Sequence, residues 1–399
     1  MLGISIFFSG VTFASTAPYG AVVGIEILGM SNIDYAILVS AGALVGAVSS
    51  ILIGYFSDRL RDRRILVLVS ALAGALGYGL IYLLRTPLAF SIVVGLIIPF
   101  GVSIFSQSFS YARAYYNDRA PSRADFMVSL MRTIYSAAWV LVPPIAGAIA
   151  AAYSVFDVYL VSSLSYIACG VIFALMMSDP TTRVAAAPIK AKSSNAPPRD
   201  RKLAFATISG MAGILLITLA MRLVGLALPL SIVTTLGGTL TDVGIYAGIA
   251  ALLEIPFMLG WGYLAGKVSK EIIIVFSALV FALYVVLVSR ATTVSEVFWL
   301  QGLNGFASSA LFSITISYMQ DAIKGRIGLS TSLMDVMAVA ATLFGAAVFG
   351  LFSTGGDYRL VLAVAAAIAA LGGVTMLVGN LERVFRPKLI TPEPASAQR

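Results

Sequence analysis

The sequence predicts an all-α membrane protein whose twelve transmembrane helices form two six-helix bundles. Three observations carry that prediction. First, hydrophobic residues make up 59% of the 399-residue chain and charged residues only 11%, with a mean hydropathy of +0.97; a soluble domain carries about 25% charged residues. So little charge cannot clothe a water-facing surface, which excludes a soluble enzyme, a disordered scaffold and a nucleic-acid binder. Second, the apolar residues fall in long runs of the ~20 residues that a helix needs to cross a ~30 Å hydrocarbon core. No alternating-strand pattern of a membrane barrel occurs, and backbone at membrane depth must satisfy its own hydrogen bonds, so the runs are helices. Third, a polar segment, 178–202, interrupts the series once, at its middle.

Span 1 covers 2–25. Met1-Leu2-Gly3-Ile4 lacks the positive leading region of a cleavable signal peptide, so this run stays as a helix. Spans 2 and 3 cover 34–56 and 65–84, joined by a loop with Arg59, Arg61, Arg63 and Arg64. Spans 4 and 5 cover 88–112 and 126–152, with Arg113, Arg119 and Arg123 between them. Span 6, 156–177, holds the single cysteine, Cys169, in an apolar run, which leaves no disulfide framework and no thiolate metal site. Residues 178–202 pass from Ser178-Asp179-Pro180 to Pro197-Pro198-Arg199-Asp200-Arg201-Lys202 and read as a flexible cytoplasmic linker. Spans 7 to 12 follow at 203–231, 243–264, 271–289, 296–319, 329–353 and 359–380, and 381–399 is a cytoplasmic tail.

The chain therefore divides into an N-terminal bundle (1–177) and a C-terminal bundle (203–380) with the linker between. This layout fits a parallel repeat about an axis along the membrane normal, enclosing one central cavity, for which rocking of one half on the other is the natural mechanism. Orientation follows from Lys and Arg. Nearly all of the 26 such residues lie in the even-to-odd connections and the tail; only Arg85, Arg290 and Arg359 lie on the other side, while Arg132 and Arg222 fall inside spans. Both termini and the linker are thus cytoplasmic. The same asymmetry explains the net charge of +8 without a nucleic-acid partner.

Histidine is absent, which removes imidazole proton relays and the commonest metal ligand. No metal site or cofactor is expected, and no Walker-type Gly-x-x-x-x-Gly-Lys-Ser/Thr run offers a nucleotide site. The informative residues are charges in oil, each costing ~2.5–3.5 kcal/mol on insertion scales. Glu254 in span 8 and Arg222 in span 7 both sit near the midplane, about 16 and 14 Å deep at ~1.5 Å per residue. They are expected to face the cavity and to be electrostatically coupled, directly or through a neighbour, either as a permanent ion pair holding spans 7 and 8 together or as a proton switch centred on Glu254. Arg132 lies one to two turns inside span 5, where it either snorkels to the interface or serves the cavity with its rigid donor fork. Asp335, in the first turns of span 11, complements the helix dipole and serves either a gate or a solute. Glu26 ends span 1 in water.

The loop Gly54-Tyr55-Phe56-Ser57-Asp58-Arg59-Leu60-Arg61-Asp62-Arg63-Arg64 resembles the signature of the major facilitator superfamily, Gly-x-x-x-Asp-Arg followed by a basic cluster. Arg61 takes the place of the glycine usual after Asp-Arg-x, and in the C-terminal counterpart, Gly262-Tyr263-Leu264-Ala265-Gly266-Lys267, Gly266 takes the place of an acid. Within that superfamily several segments are similar to the bacterial sugar efflux transporter (SET) family. They are Arg113, Leu130-Met131-Arg132, Trp139-Val140-Leu141-Val142-Pro143-Pro144, Leu253-Glu254-Ile255-Pro256-Phe257-Met258, and Tyr318-Met319-Gln320-Asp321 with Gly325-Arg326 and Gly328. The drug-exporter signature Gly-Pro-x-x-Gly stands as Pro143-Pro144-Ile145-Ala146-Gly147, with its first Gly replaced.

The resemblance implies a monomeric secondary transporter of the bacterial inner membrane. It would export a sugar or sugar-like solute in exchange for protons, with Asp58, Arg59, Arg63, Arg113 and Asp335 as gating residues. A sugar wants amides, hydroxyls and flat aromatic faces. Candidates beside Arg132 are Ser103 and Gln107 in span 4, Gln301 and Asn304 in span 10, Tyr19 in span 1, and Tyr135 and Trp139 one turn apart in span 5. A drug or amphipathic-metabolite exporter of the same fold is the alternative. A membrane enzyme or a non-transporting sensor is remote, because no nucleophile with an acid–base partner and no sensory domain is visible.

Overall fold

The computed structural model describes residues 1–59, 62, 64–184, 205–323, 327–353 and 356–381, the side chains of 57–59, 327–329 and 331 excepted. Among the described residues it is helical throughout, without strands. Twelve helices correspond one to one with the expected spans. They are α1 (Leu2–Ile27), α2 (Asn32–Arg59), α3 (Arg64–Leu84), α4 (Pro87–Arg119), α5 (Ala124–Ala152) and α6 (Val155–Ser178), then α7 (Phe205–Thr235), α8 (Leu240–Leu264), α9 (Lys270–Ser289), α10 (Val294–Ala322), α11 (Ile327–Phe352) and α12 (Arg359–Gly379). Eleven of these segments are long and apolar enough to cross a membrane. The twelfth, α10, carries Gln301, Asn304 and five serines, of which Gln301, Ser308 and Ser309 are buried in the bundle.

Hydroxyl residues start many of the helices, because the first turn of a helix leaves N–H groups without intrahelical acceptors. Thr86, Ser154, Ser269 and Thr293 cap α4, α6, α9 and α10, and Thr239 forms a full capping box with Asp242 at α8. The two bundles repeat this local structure. Both α1 and α7 end in a wide π turn, Val23–Ile27 and Ser231–Thr235, followed by a glycine of positive φ, Gly29 (71°) and Gly237 (63°). The chain then reads Leu28-Gly29-Met30-Ser31-Asn32-Ile33-Asp34 in one half and Leu236-Gly237-Gly238-Thr239-Leu240-Thr241-Asp242 in the other. In each, the hydroxyl and the carboxylate three residues on bond to one another across the next helix start (Ser31–Asp34 2.7 Å, Thr239–Asp242 2.8 Å). The repeated pattern is an internal sign of duplication that the span pattern alone does not display.

Inside the N-terminal bundle α1 packs on α5 and α6, and α3 on α6 and α4; in the C-terminal bundle α7 packs on α12 and α11, and α9 on α12 and α10. In lipid the drive to associate is close packing and hydrogen bonding rather than water exclusion. Serines supply much of it. Ser162 donates to Thr12 O (2.7 Å), Ser163 to Ala75 O (2.8 Å) and Ser49 to Pro99 O (3.1 Å), while Thr16 reaches Tyr78 and Ser5 meets the buried Cys169. At Gly74 the ring of Tyr166 lies where a Cβ would stand, 2.3 Å from it, so the glycine is what lets the Tyr166 ring of α6 pack against α3.

The segment after α6 is tied down before the chain reaches 185. Arg64, buried at the start of α3, forms an ion pair with Asp62 (2.6 Å) and donates to Met176 O and Thr182; Tyr111 donates to Thr182 O and Arg119 to Thr181 O. The Arg64 guanidinium hydrogen-bonded to Asp62 holds that carboxyl below its ordinary value. The rest of the expected linker, 185–202, and the tail from 382 lie outside the described residues.

Candidate functional site

The bundles meet at the end of the molecule opposite the termini. There α8 settles onto Pro143-Pro144 of α5. A Cβ on Gly244 would stand 2.2 Å from Pro143 O, one on Gly248 2.6 Å from Pro144 Cγ, and one on Gly147 2.8 Å from Leu240 O. Tyr19 of α1 closes this contact by donating to Pro143 O (2.8 Å), and Thr241 donates to Gly147 O (3.2 Å). On the other flank α2 meets α11: Asn32 donates to Ser353 O (2.6 Å), and Tyr358 donates to Asn32 Oδ1 (3.3 Å).

Towards the end carrying the termini the same faces part. Following the α8 contact face on by helical turns, Leu252, Ile255 and Leu259 are exposed, and opposite them on α5 so are Ser129, Arg132 and Thr133. On α2 Leu44, Val48 and Ile51 are exposed, and on α11 Asp335 and Val336. The bundles thus enclose a cleft that is closed at one end and open at the other.

Glu254 lies part-buried in the middle of α8, within the stretch that carries Leu252, Ile255 and Leu259. Its carboxylate accepts a hydrogen bond from Ser308 of α10 (2.8 Å). Arg222 of α7 is exposed, and its Cβ lies 3.6 Å from the Cβ position of Gly345 on α11. A direct ion pair between Arg222 and Glu254, one of the two expected readings, is not formed. The three ion pairs among the described residues are Arg64–Asp62, Arg119–Asp118 and Lys270–Asp321. The reason is packing: α7 leans mainly on α12 and α11 while α8 leans on α10 and α5, so neighbours in sequence face different partners.

The other candidates separate into two groups. Arg132 is exposed on the cleft face of α5, and no carboxylate pairs with it among the described residues. Beside it Tyr135 joins Phe105 (4.8 Å between ring centres) and Phe109 (6.1 Å), with Trp139 one turn on, against α1. Gln107 is buried on α4, and its Oε1 has no hydrogen-bond partner among the described residues. Asn304 is part-buried and donates to Gln301 Oε1 (2.8 Å).

Three candidates make hydrogen bonds between packed helices. Gln301 is fully buried and donates to Tyr284 of α9 (3.2 Å) and to Val297 O. Ser103 bonds Ser70 of α3 (2.7 Å) and Phe100 O. Tyr19 is fully buried at the closed end. Arg113 is exposed towards the terminal end of α4. The side chains of Asp58 and Arg59, and the whole of Arg63, lie outside the described residues.

Sequence reasoning missed Ser308 and the glycines at 147, 244 and 248. Spacing holds the signal for the last two: Gly244 and Gly248 stand one turn apart on α8, and small residues so spaced mark a close helix contact.

Comparison with known proteins adds to this geometry. The family model of the Major Facilitator Superfamily matches residues 2–212 and again 210–397. Among curated proteins, the chain is 30% identical to "Sugar efflux transporter A" of Dickeya chrysanthemi over 84% of this chain and 84% of that one. It is 28% identical to "Sugar efflux transporter C" of Escherichia coli over 82% of each. Among solved structures, a crystal structure of the peptide transporter POT superposes with a TM-score of 0.78 at 14% identity, covering 96% of this chain and 94% of that one. The nucleoside transporter NupG gives 0.75 at 13%, covering 95% and 98%.

Proposed function

Because this chain belongs to the major facilitator superfamily, we propose that it is a secondary active transporter that exports a sugar or sugar-like solute by alternating access, in exchange for protons. The observation that carries this reading is the cleft itself, sealed by the α5–α8 and α2–α11 contacts at one end and open at the other. The names of the Dickeya and Escherichia relatives support the solute class.

By the distribution of Lys and Arg the open end faces the cytoplasm of a bacterial cell, so the solute is loaded from inside. The sealed contacts then have to open outwards while the splayed faces close. The two halves 1–177 and 203–380 move as the rocking bodies, with 178–202 as their cytoplasmic connection. Asp58, Arg59, Arg63, Arg113 and Asp335 gate the cytoplasmic side in the closed state.

Arg132 donates to solute hydroxyls from a planar fork. Tyr135 and Trp139 offer aromatic surface to the C–H face of a sugar ring, and Gln107 and Asn304 supply amides. Glu254 carries the proton. A carboxyl that meets water in one state and packed protein in the other can load a proton on one side and release it on the other. Ser308 holds the carboxylate in the present state, and Arg222 balances it as a separate cation. Neither role requires a cofactor, and the chain is read as a transporter rather than an enzyme, working as a monomer in the lipid bilayer.

The exposed Leu252, Ile255 and Leu259 favour a second reading, in which the solute is amphipathic and lies along this apolar strip. Counterflow in proteoliposomes with a panel of mono- and disaccharides, with and without a pH gradient, tests the first reading. A resistance assay run beside it tests the second. Sugar-specific counterflow that responds to the gradient is the expected result; resistance to amphipathic compounds without any sugar counterflow overturns the sugar reading.

A further inference from the structure

Outside the cleft the C-terminal bundle carries a second cavity, of about 370 Å³, between α8 and α9. Phe257, Gly260 and Trp261 of α8 line one wall, Ile272 and Phe276 of α9 the other, and Phe306 of α10 the floor. Its lining is apolar. Trp261 spends its indole N–H on Phe306 O (2.9 Å), and Phe306 packs against the rings of Trp261 and Phe257 (4.8 and 5.3 Å), so the walls are fixed by aromatic contacts. A Cβ on Gly260 would meet nothing within 4 Å, which marks the opening.

This cavity faces the bilayer and not the cleft. On α9 the residues Phe276, Leu279, Leu283 and Leu287 recur at helical spacing and are all exposed, which is the pattern of a lipid-facing stripe. The cavity runs along that stripe from the start of α9 to Phe276, about 9 Å at ~1.5 Å per residue, parallel to the direction in which acyl chains lie. Beside the lining residue Val268, the turn where α8 gives way to α9 carries two cations. Lys270 pairs with Asp321 (2.6 Å), but Lys267 has no carboxylate among the described residues and rests over the ring of Tyr263 (4.1 Å).

We propose that this groove is a binding site for an anionic glycerophospholipid, one acyl chain lying between α8 and α9 and the phosphate meeting Lys267. The depth and the apolar lining suit a hydrocarbon chain. The uncompensated ammonium at headgroup level selects the anionic class, as a juxtamembrane Lys does at ~1 kcal/mol, or about fivefold in occupancy. The site does not depend on what the cleft transports, and its occupant braces the α8–α10 contact that also holds Glu254 to Ser308.

The test uses Trp261 as a reporter in the full chain carrying Trp139→Phe and Trp299→Phe, reconstituted in phosphatidylcholine nanodiscs. A small, equal fraction of brominated-chain phosphatidylglycerol or brominated-chain phosphatidylcholine is included, and fluorescence quenching is read. Phosphatidylglycerol is expected to quench about fivefold more efficiently at low fraction. Lys267→Gln should abolish that preference, and Gly260→Phe should lower quenching by both lipids while circular dichroism and the melting curve remain those of a folded protein. Equal quenching by the two lipids in the parent overturns the proposal, since it indicates random contact with the surrounding bilayer. A preference that survives Lys267→Gln overturns it equally.

Discussion

Gly244→Ala places a methyl group where the two bundles are in closest contact, and its consequence can be worked from the structure. The new Cβ would stand 2.2 Å from Pro143 O and 2.5 Å from the Tyr19 hydroxyl, whereas ordinary contact begins at 3.4 Å. Both close neighbours are constrained, one being backbone and the other held by its hydrogen bond to that same carbonyl. Relief therefore requires α5 and α8 to separate by roughly 1 Å, at the ~1–3 kcal/mol typical of an overpacked contact. That penalty applies only to the state in which this end is closed. The equilibrium should shift away from the present state by about 5–150-fold.

The shift can be read by double electron–electron resonance between labels at Tyr153 and Ser295, exposed residues at this end, one on each bundle, with the buried Cys169 replaced by Ser. The distance distribution should gain a longer component in Gly244→Ala. Gly262→Ala is the control. It lies on the same helix, and its Cβ would meet nothing within 4 Å, so it takes the same change in helix propensity without the clash. An unchanged distribution in Gly244→Ala, or an equal change in the control, refutes the idea that this contact is the seal.

Other perturbations separate transport roles from packing roles. Glu254→Gln should retain solute counterflow and lose solute-driven proton flux; a flux equal to the parent's removes Glu254 as the proton carrier. Gln301→Leu leaves the buried Tyr284 hydroxyl without its partner, at ~1–3 kcal/mol, so the melting temperature in detergent should fall while solute preference is unchanged. A changed preference with unchanged stability would return Gln301 to the solute site. Arg64→Ala removes the ion-pair partner of the part-buried Asp62 together with two further bonds and should cost ~1–3 kcal/mol, seen as a loss of thermal stability and faster proteolysis after α6. Asp62 has its folded-state value below its unfolded one, so its contribution is complete above the unfolded value and disappears as pH falls through the folded value. Stability should accordingly be level from neutral pH down to about pH 5 and decline below ~4, and Asp62→Asn should flatten that acid limb.

The cleft was only partly legible in the chain. Glu254, Arg222 and Arg132 stand out in the sequence because charge in oil is costly and needs an environment that tolerates it. The environment itself was not legible. The midplane depth of Arg222 and Glu254 suggests a pair, but depth carries no azimuth, and α7 and α8 turn their charged faces to different neighbours. Gln301 and Ser103 illustrate the same limit. An amide or hydroxyl in a span serves equally as a solute contact or as a bond between helices, and in this structure Gln301 bonds Tyr284 and Ser103 bonds Ser70. Tyr19 turned from a solute candidate into a brace at the seal because Pro143 O lies within its reach.

What the sequence determined alone are the quantities that depend on composition along one axis: how many times the chain crosses, where it turns, and which loops hold the positive charge. Those follow from the cost of placing polar groups in hydrocarbon, which each segment meets by itself. Which side of each helix meets protein, cleft or lipid was decided only by the tertiary structure. Lipid and protein interiors are both apolar, so a span's hydrophobicity does not record which of the two it touches. The seal of Gly244 on Pro143 and the open face carrying Arg132 belong to that second kind of information, and so does the groove behind Trp261.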